Sequence, residues 1–114
     1  MDLKGRVGLI TGAASGIGKE IAIRLAARGG IPVIADLNLD AAEATAAEIR
    51  KSDADSFAVA MNVADEAQVE KGVADTIAKY GKIDILVSNA GIQIVHPLVD
   101  FPFADWKKLL SIHL

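Results

Sequence analysis

Cysteine is absent from this 114-residue sequence, so neither a disulfide framework nor a thiolate metal site can organise it. Aromatic residues are scarce at 4 %, against 52 % apolar residues in all. A core must therefore be built from Ala, Val, Ile and Leu, which favours close helix-on-sheet packing over large aromatic clusters. A basic excess is lacking too, since the formal net charge is −3. Without a basic stripe, nucleic acid and anionic membrane are poor partners. No window approaches the roughly 18 continuous apolar residues of a membrane-crossing helix. The opening Met-Asp-Leu-Lys-Gly-Arg does not have the pattern of a secretory signal. The expectation is a soluble, cytoplasmic domain, long enough to bury a core.

What is present is an alternation of two periodicities. Residues 6–11 (RVGLIT), 31–36 (IPVIAD), 56–61 (SFAVAM) and 83–88 (IDILVS) are short runs rich in Val, Ile and Leu. Such runs predict strands buried on both faces, the habit of a parallel sheet. Helical patterns lie between them. In the first, Ile17, Ile21 and Leu25 share one face, and Glu20, Arg24 and Arg28 share the opposite one, with Gly29 and Gly30 as the stop. The second is the Ala-rich segment 40–51. The third carries Val69, Val73, Ile77 and Tyr80 on one stripe and stops at Gly81. A fourth, from about Ala104, aligns Trp106, Leu109, Leu110 and His113. Strand and helix in strict alternation predict right-handed crossovers and an α/β fold: a doubly wound, Rossmann-like parallel sheet with helices on both faces, here its first four strands.

The junction of the first strand and first helix reads Leu-Ile-Thr-Gly-Ala-Ala-Ser-Gly-Ile-Gly (9–18). Unpaired N–H groups and the positive dipole end at a helix start attract phosphate. Gly12 would permit the tight turn, Gly16 the approach of backbone to a pyrophosphate, and Gly18 close packing of helix on strand. The hydroxyls of Thr11 and Ser15 could tie down the loop or a phosphate oxygen. By themselves the glycines fit an ordinary βα turn equally well. Asp36 decides between the two. It closes the second strand 18 residues beyond Gly18, where a carboxylate can accept from both hydroxyls of an adenosine ribose. The same carboxylate would repel a 2′-phosphate by roughly 4 kcal/mol at about 4 Å and an effective dielectric near 20. No Arg or Lys at Leu37, Asn38 or Ser15 softens this repulsion, so NAD is expected over NADP.

These residues resemble a known family. TGAASGIG (11–18) matches the Thr-Gly-x-x-x-Gly-x-Gly loop of the short-chain dehydrogenases/reductases, and SNAG (88–91) resembles that family's Asn-Asn-Ala-Gly motif after the fourth strand. The resemblance covers the whole chain and corresponds to roughly the first half of a family enzyme. It implies an NAD-binding domain over residues 1–114, the N-terminal part of a longer single-domain fold. Ser15, Gly16, Ile17, Gly18, Asp36 and Leu37 would then lie on the cofactor, with Asn89, Ala90 and Gly91 near its adenosine ribose. Asn62 and Val63 would flank the adenine. Many relatives carry Asp where this chain has Asn62, and that residue fits a helix N-cap or turn equally well.

The segment NAGIQIVHPLVDFPFADW (89–106) is similar to the 3-hydroxybutyrate dehydrogenases within the family. By that likeness Gln93 would bond a substrate carboxylate. As a residue alone, Gln93 also reads as an exposed loop glutamine. His113 stands where the family usually has the Asn that holds a proton-relay water. It could bond a water and titrate near neutrality, or simply pack on its helix face beside Trp106 and Leu110. His96, a lone loop histidine, is assigned no role.

The family's hydride transfer uses a Tyr as acid/base, helped by a Lys four positions on and by a Ser. The one tyrosine here is Tyr80, and four positions on stands Asp84. The catalytic Ser, Tyr and Lys are therefore not among these residues. The apolar fourth strand also has no predicted neighbour on its outer side, an unusual state for an edge. Both features predict that the chain is part of a longer polypeptide or that another chain fills the edge. Two functional readings follow. One is an NAD-dependent oxidoreductase for a hydroxy acid such as 3-hydroxybutyrate, or for another alcohol, sugar or 3-oxoacyl substrate, assembled as a homo-oligomer and a tetramer by resemblance. The other is a non-catalytic dinucleotide-binding domain. Neither needs a metal.

Overall fold

The structure is a computed structural model that describes residues 3–88 and 93–95. Its elements run β1 (Val7–Thr11), α1 (Gly16–Ala27), β2 (Ile31–Asp36), α2 (Leu39–Arg50), β3 (Phe57–Ala60), α3 (Glu66–Tyr80), β4 (Ile85–Ser88) and β5 (Gln93–Val95). The sheet order is β3-β2-β1-β4-β5. β1 pairs in parallel with both β2 and β4, and β2 pairs in parallel with β3. The four apolar runs are therefore strands of one parallel sheet. The predicted fourth helix lies outside the described residues.

Alternation along the strands sorts the core into two layers. Leu9, Val33, Ala35, Val59 and Leu86 pack on one face of the sheet with Val69 and Val73 of α3. Ile10, Ile34, Ala58 and Val87 pack on the other with Ala22 and Leu25 of α1 and with Ala42, Ala46 and Ile49 of α2. The sheet is thus covered on both faces, as a doubly wound fold requires. α3 uses the predicted stripe, with Ile77 and Tyr80 packed against its margin, and it ends on Gly81 in the left-handed conformation.

Two features differ from the sequence reading. The buried face of α1 is Gly18, Ala22 and Leu25, whereas Ile17 is 58 % exposed. Small residues win that face because they let the helix settle on the sheet, and Ile17 is left at the helix mouth. The outer side of β4 is also not bare. β5 runs antiparallel along it, with Leu86 opposite Val95, Val87 opposite Ile94 and Ser88 opposite Gln93. Three residues are too few for a period-of-two pattern to stand out in a sequence, so the strand that covers this edge was not legible there.

Candidate functional site

The order β3-β2-β1-β4 reverses direction between β1 and β4, and a doubly wound sheet opens a crevice at the carboxyl ends of such a pair. Thr11 closes β1 and Ser88 closes β4 on this rim. The Thr11 hydroxyl donates to the Val87 carbonyl at 3.4 Å. Of the two hydroxyls singled out in the loop, this one therefore ties strand to strand.

The loop from Thr11 to Gly18 is shaped by its glycines. Gly12 and Gly16 sit at φ 63° and 59°, a region that side chains with a Cβ disfavour. A Cβ on Gly18 would strike the Gly12 carbonyl oxygen and lie 2.9 Å from its carbon. Gly18 thus lets α1 begin directly against the loop. A Cβ on Gly16 would meet nothing within 4 Å, so the helix mouth opens onto free space.

The three helices among the described residues start differently. Asn38 caps α2 by accepting from the Ala41 N–H at 3.1 Å, and Asp65 caps α3 by accepting from Ala67 and Gln68 at 3.0 and 3.3 Å. Ser15 occupies the N-cap of α1 in extended conformation, yet its side chain makes no capping hydrogen bond. The first turns of α2 and α3 carry Asp40 and Glu66, whereas that of α1 carries no acid. The amides opening α1 are thus neither capped by a side chain nor shielded by a carboxylate. With the dipole behind them, they suit an anion. This start, with the open space before Gly16, fits a diphosphate.

Asp36 ends β2 on the same rim. Its Oδ2 accepts the Asn38 N–H at 3.1 Å, which orients the carboxylate while leaving acceptor capacity for a ligand. Its carbonyl accepts the Met61 N–H at 2.8 Å, so residues 61–63 are anchored beside it. Leu37 is 74 % exposed, which places a second apolar side chain, after Ile17, at the crevice. The Asn62 Oδ1 accepts from Ala64 N–H at 2.9 Å. Asn62 is thus a turn residue, while the N-cap of α3 is Asp65. Val63 is half-buried against the α3-side core.

Tyr80 stands at the end of α3, near the amino ends of the strands and opposite the crevice. It packs edge-on against Phe57, with ring centroids 6.4 Å apart. Burial, and then the nearby Asp55 carboxylate, push its pKa up to about 12. It is a packing residue, not a proton donor for the crevice. Asp84, four positions on, is 2 % exposed. It accepts the Val7 N–H at 2.9 Å and pairs with Lys82 at 3.2 Å and Arg6 at 3.5 Å. This buried carboxylate was not singled out in the sequence, where it reads only as the residue that is not lysine.

Asn89, Ala90, Gly91, His96 and His113 lie outside the described residues. Gln93 is described through its backbone, which opens β5 opposite Ser88 at the crevice rim. Among the described residues, no three or more His, Cys, Asp or Glu side chains gather to hold a metal ion. No helix among them is long and apolar enough to cross a membrane.

A sequence model of the short chain dehydrogenase family matches residues 6–114. The chain belongs to this family. Its similarity to the "Sorbitol dehydrogenase" of Cereibacter sphaeroides is 40 % identity over 114 residues, covering 100 % of this chain and 43 % of that protein. Against the "2-dehydro-3-deoxy-L-rhamnonate dehydrogenase (NAD(+))" of Sphingomonas sp. (strain SKA58) it is 42 % over 111 residues, covering 96 % of this chain and 43 % of that one. Among solved structures, the 3-ketoacyl-(acyl-carrier-protein) reductase from Brucella melitensis, complexed with NADH, superposes with a TM-score of 0.70 at 43 % identity. That match covers 75 % of this chain and 34 % of the reductase. These similar short chain dehydrogenases have varied substrates in their names, and the likeness is to the family at large, not specifically to its 3-hydroxybutyrate members. The chain spans less than half the length of the curated relatives it matches.

Proposed function

We propose that the protein is an NAD-dependent oxidoreductase, and that these residues are the N-terminal, cofactor-binding part of its single-domain fold. The observation that carries this reading is the start of α1: a helix mouth made accessible by Gly12, Gly16 and Gly18, uncapped by its own Ser15 and set beside the oriented carboxylate of Asp36. The amides of Gly16, Ile17 and Gly18 and the Ser15 hydroxyl would hold the diphosphate, and Asp36 the adenosine ribose. Leu37, Asn62 and Val63 would border the adenine. Asn89, Ala90 and Gly91 would follow β4 along the same crevice. The family membership and the NADH carried by a similar reductase support this assignment.

NAD, when bound, supplies a hydride-accepting nicotinamide for oxidation of a secondary alcohol, and its reduced form returns the hydride to a ketone. What these residues contribute is binding and orientation. The acid/base group would come from outside them, because Tyr80 is at the far end of the sheet. His113 would support a proton-relay water. The substrate class we favour is a hydroxy acid such as 3-hydroxybutyrate, with Gln93 on its carboxylate and a tetrameric assembly, both on the family likeness. The names of the relatives support the broader reading, an alcohol or ketone of another kind.

Calorimetric titration of the protein with NAD and NADP tests the cofactor reading. NAD is expected to bind about 10- to 100-fold more tightly, a range that allows for solvent screening around a half-exposed Asp36, and Asp36→Ala should narrow the gap. Equal affinity of the unaltered protein for the two nucleotides would overturn the role of Asp36. NADH formation at 340 nm with 3-hydroxybutyrate, set against sorbitol, then separates the substrate classes, and activity on sorbitol alone would remove the hydroxy-acid assignment.

A further inference from the structure

Gln68 lies exposed on the first turn of α3, where a glutamine would ordinarily be solvated. Both polar atoms of its side chain are instead engaged. Oε1 accepts the backbone N–H of Asn62 at 2.8 Å, and Nε2 donates to Oδ2 of Asp65 at 3.2 Å. In the usual capping box, the third helical residue reaches back to the N–H of the N-cap itself. Here the Asp65 N–H already donates to the Asn62 carbonyl at 2.9 Å, and Gln68 reaches past it to Asn62. Asn62 is consequently held at three points: its N–H by Gln68, its carbonyl by Asp65, and its Oδ1 by the Ala64 N–H. The donor and acceptor ends of the Gln68 amide are fixed by chemistry, because Asn62 offers a donor and Asp65 a carboxylate.

We propose that Gln68 is a positioning residue for the adenine end of the dinucleotide. It acts through Asn62 and Val63, and so rests on the reading that these two border the adenine. By holding the Asn62 backbone it presents that wall already formed, which removes an ordering cost from binding. The same segment is tied to Asp36 through the Met61 N–H, so Gln68 steadies the adenosine side of the crevice. Among the described residues, its side chain bonds only to Asn62 and Asp65, both on this side. Its effect is confined to ligands that carry an adenylate.

Two variants of the protein test this. Gln68→Met keeps the length and helix preference but removes both hydrogen bonds, whereas Gln68→Glu combined with Asp65→Asn keeps the acceptor for the Asn62 N–H and reverses the direction of the second bond, so that no two carboxylates face each other. Dissociation constants are measured for NADH and for reduced nicotinamide mononucleotide, which lacks the adenylate. Gln68→Met should weaken NADH about three- to tenfold, the loss of one hydrogen bond's net contribution. Binding of the mononucleotide should not change, and the Gln68→Glu/Asp65→Asn variant should stay within about twofold of the unaltered protein. NADH affinity unaltered by Gln68→Met, an equal loss for both ligands, or a Gln68→Glu/Asp65→Asn variant as weak as Gln68→Met would each overturn the proposal. If the unaltered protein binds no NADH, the dinucleotide reading itself fails, and this inference with it.

Discussion

At the scale of single residues, the crevice depends on the absence of side chains as much as on their presence. Gly18 touches the backbone of Gly12, and no rotamer change can relieve a clash between a Cβ and a carbonyl. Gly18→Ala should therefore push α1 away from the loop and lower stability by about 1–3 kcal/mol, as overpacking does. A urea midpoint measures the first effect, and a fall in NAD affinity should accompany it. Asp36 works the other way, by a charge held in place by one backbone N–H. Gly18 was legible in the sequence because its close approach follows from local geometry at a strand-to-helix junction, and the position of Asp36 because it ends the next strand. The engagement of Asn62 was not legible. Its amide oxygen turns onto the Ala64 N–H, and its backbone N–H is held by Gln68, whose direction only the folded chain settles.

At the scale of elements, the helix starts differ in how they are capped. Asn38→Ala removes a cap from α2 and should cost about 1 kcal/mol. Ser15→Ala removes a side chain that caps nothing and should leave stability within about 0.5 kcal/mol. Thermal unfolding of both variants checks the contrast, and a loss of comparable size for Ser15→Ala would show that its hydroxyl caps α1 after all. The exposed faces carry ordinary pairs such as Arg24–Glu20 at 2.9 Å, worth little each. The Lys19–Glu48 pair at 3.0 Å differs in joining α1 to α2. The helical faces predicted from spacing were right for α3. For α1, fourfold spacing of large residues pointed to Ile17, but the sheet selects the small residues that allow the closest approach.

For the whole molecule, the sheet is secured at the end away from the crevice. Asp84 gives its backbone N–H to the Val7 carbonyl at 2.8 Å and takes the Val7 N–H on its carboxylate, while Arg6 and Lys82 offset its charge. Asp84→Ala should destabilise the protein by about 1–3 kcal/mol by leaving a buried donor unmet. NAD affinity should remain within about twofold, since the clamp and the crevice lie at opposite ends of β1 and β4; chemical denaturation and calorimetry together measure both. A large loss of NAD affinity in a folded Asp84→Ala protein would show that the two ends are coupled. By itself the sequence determined the order of the first four strands and their helices, the layering of the parallel sheet and the glycine loop between β1 and α1. These depend on periodicity, glycine stereochemistry and spacing, all of which act over a few residues. Only the tertiary structure decided that β5 covers the outer side of β4, that Asp84 clamps β1, and that Gln68 secures Asn62. Each of those joins groups whose partnership depends on where the folded backbone brings them, and hydrogen-bonding capacity alone does not name the partner.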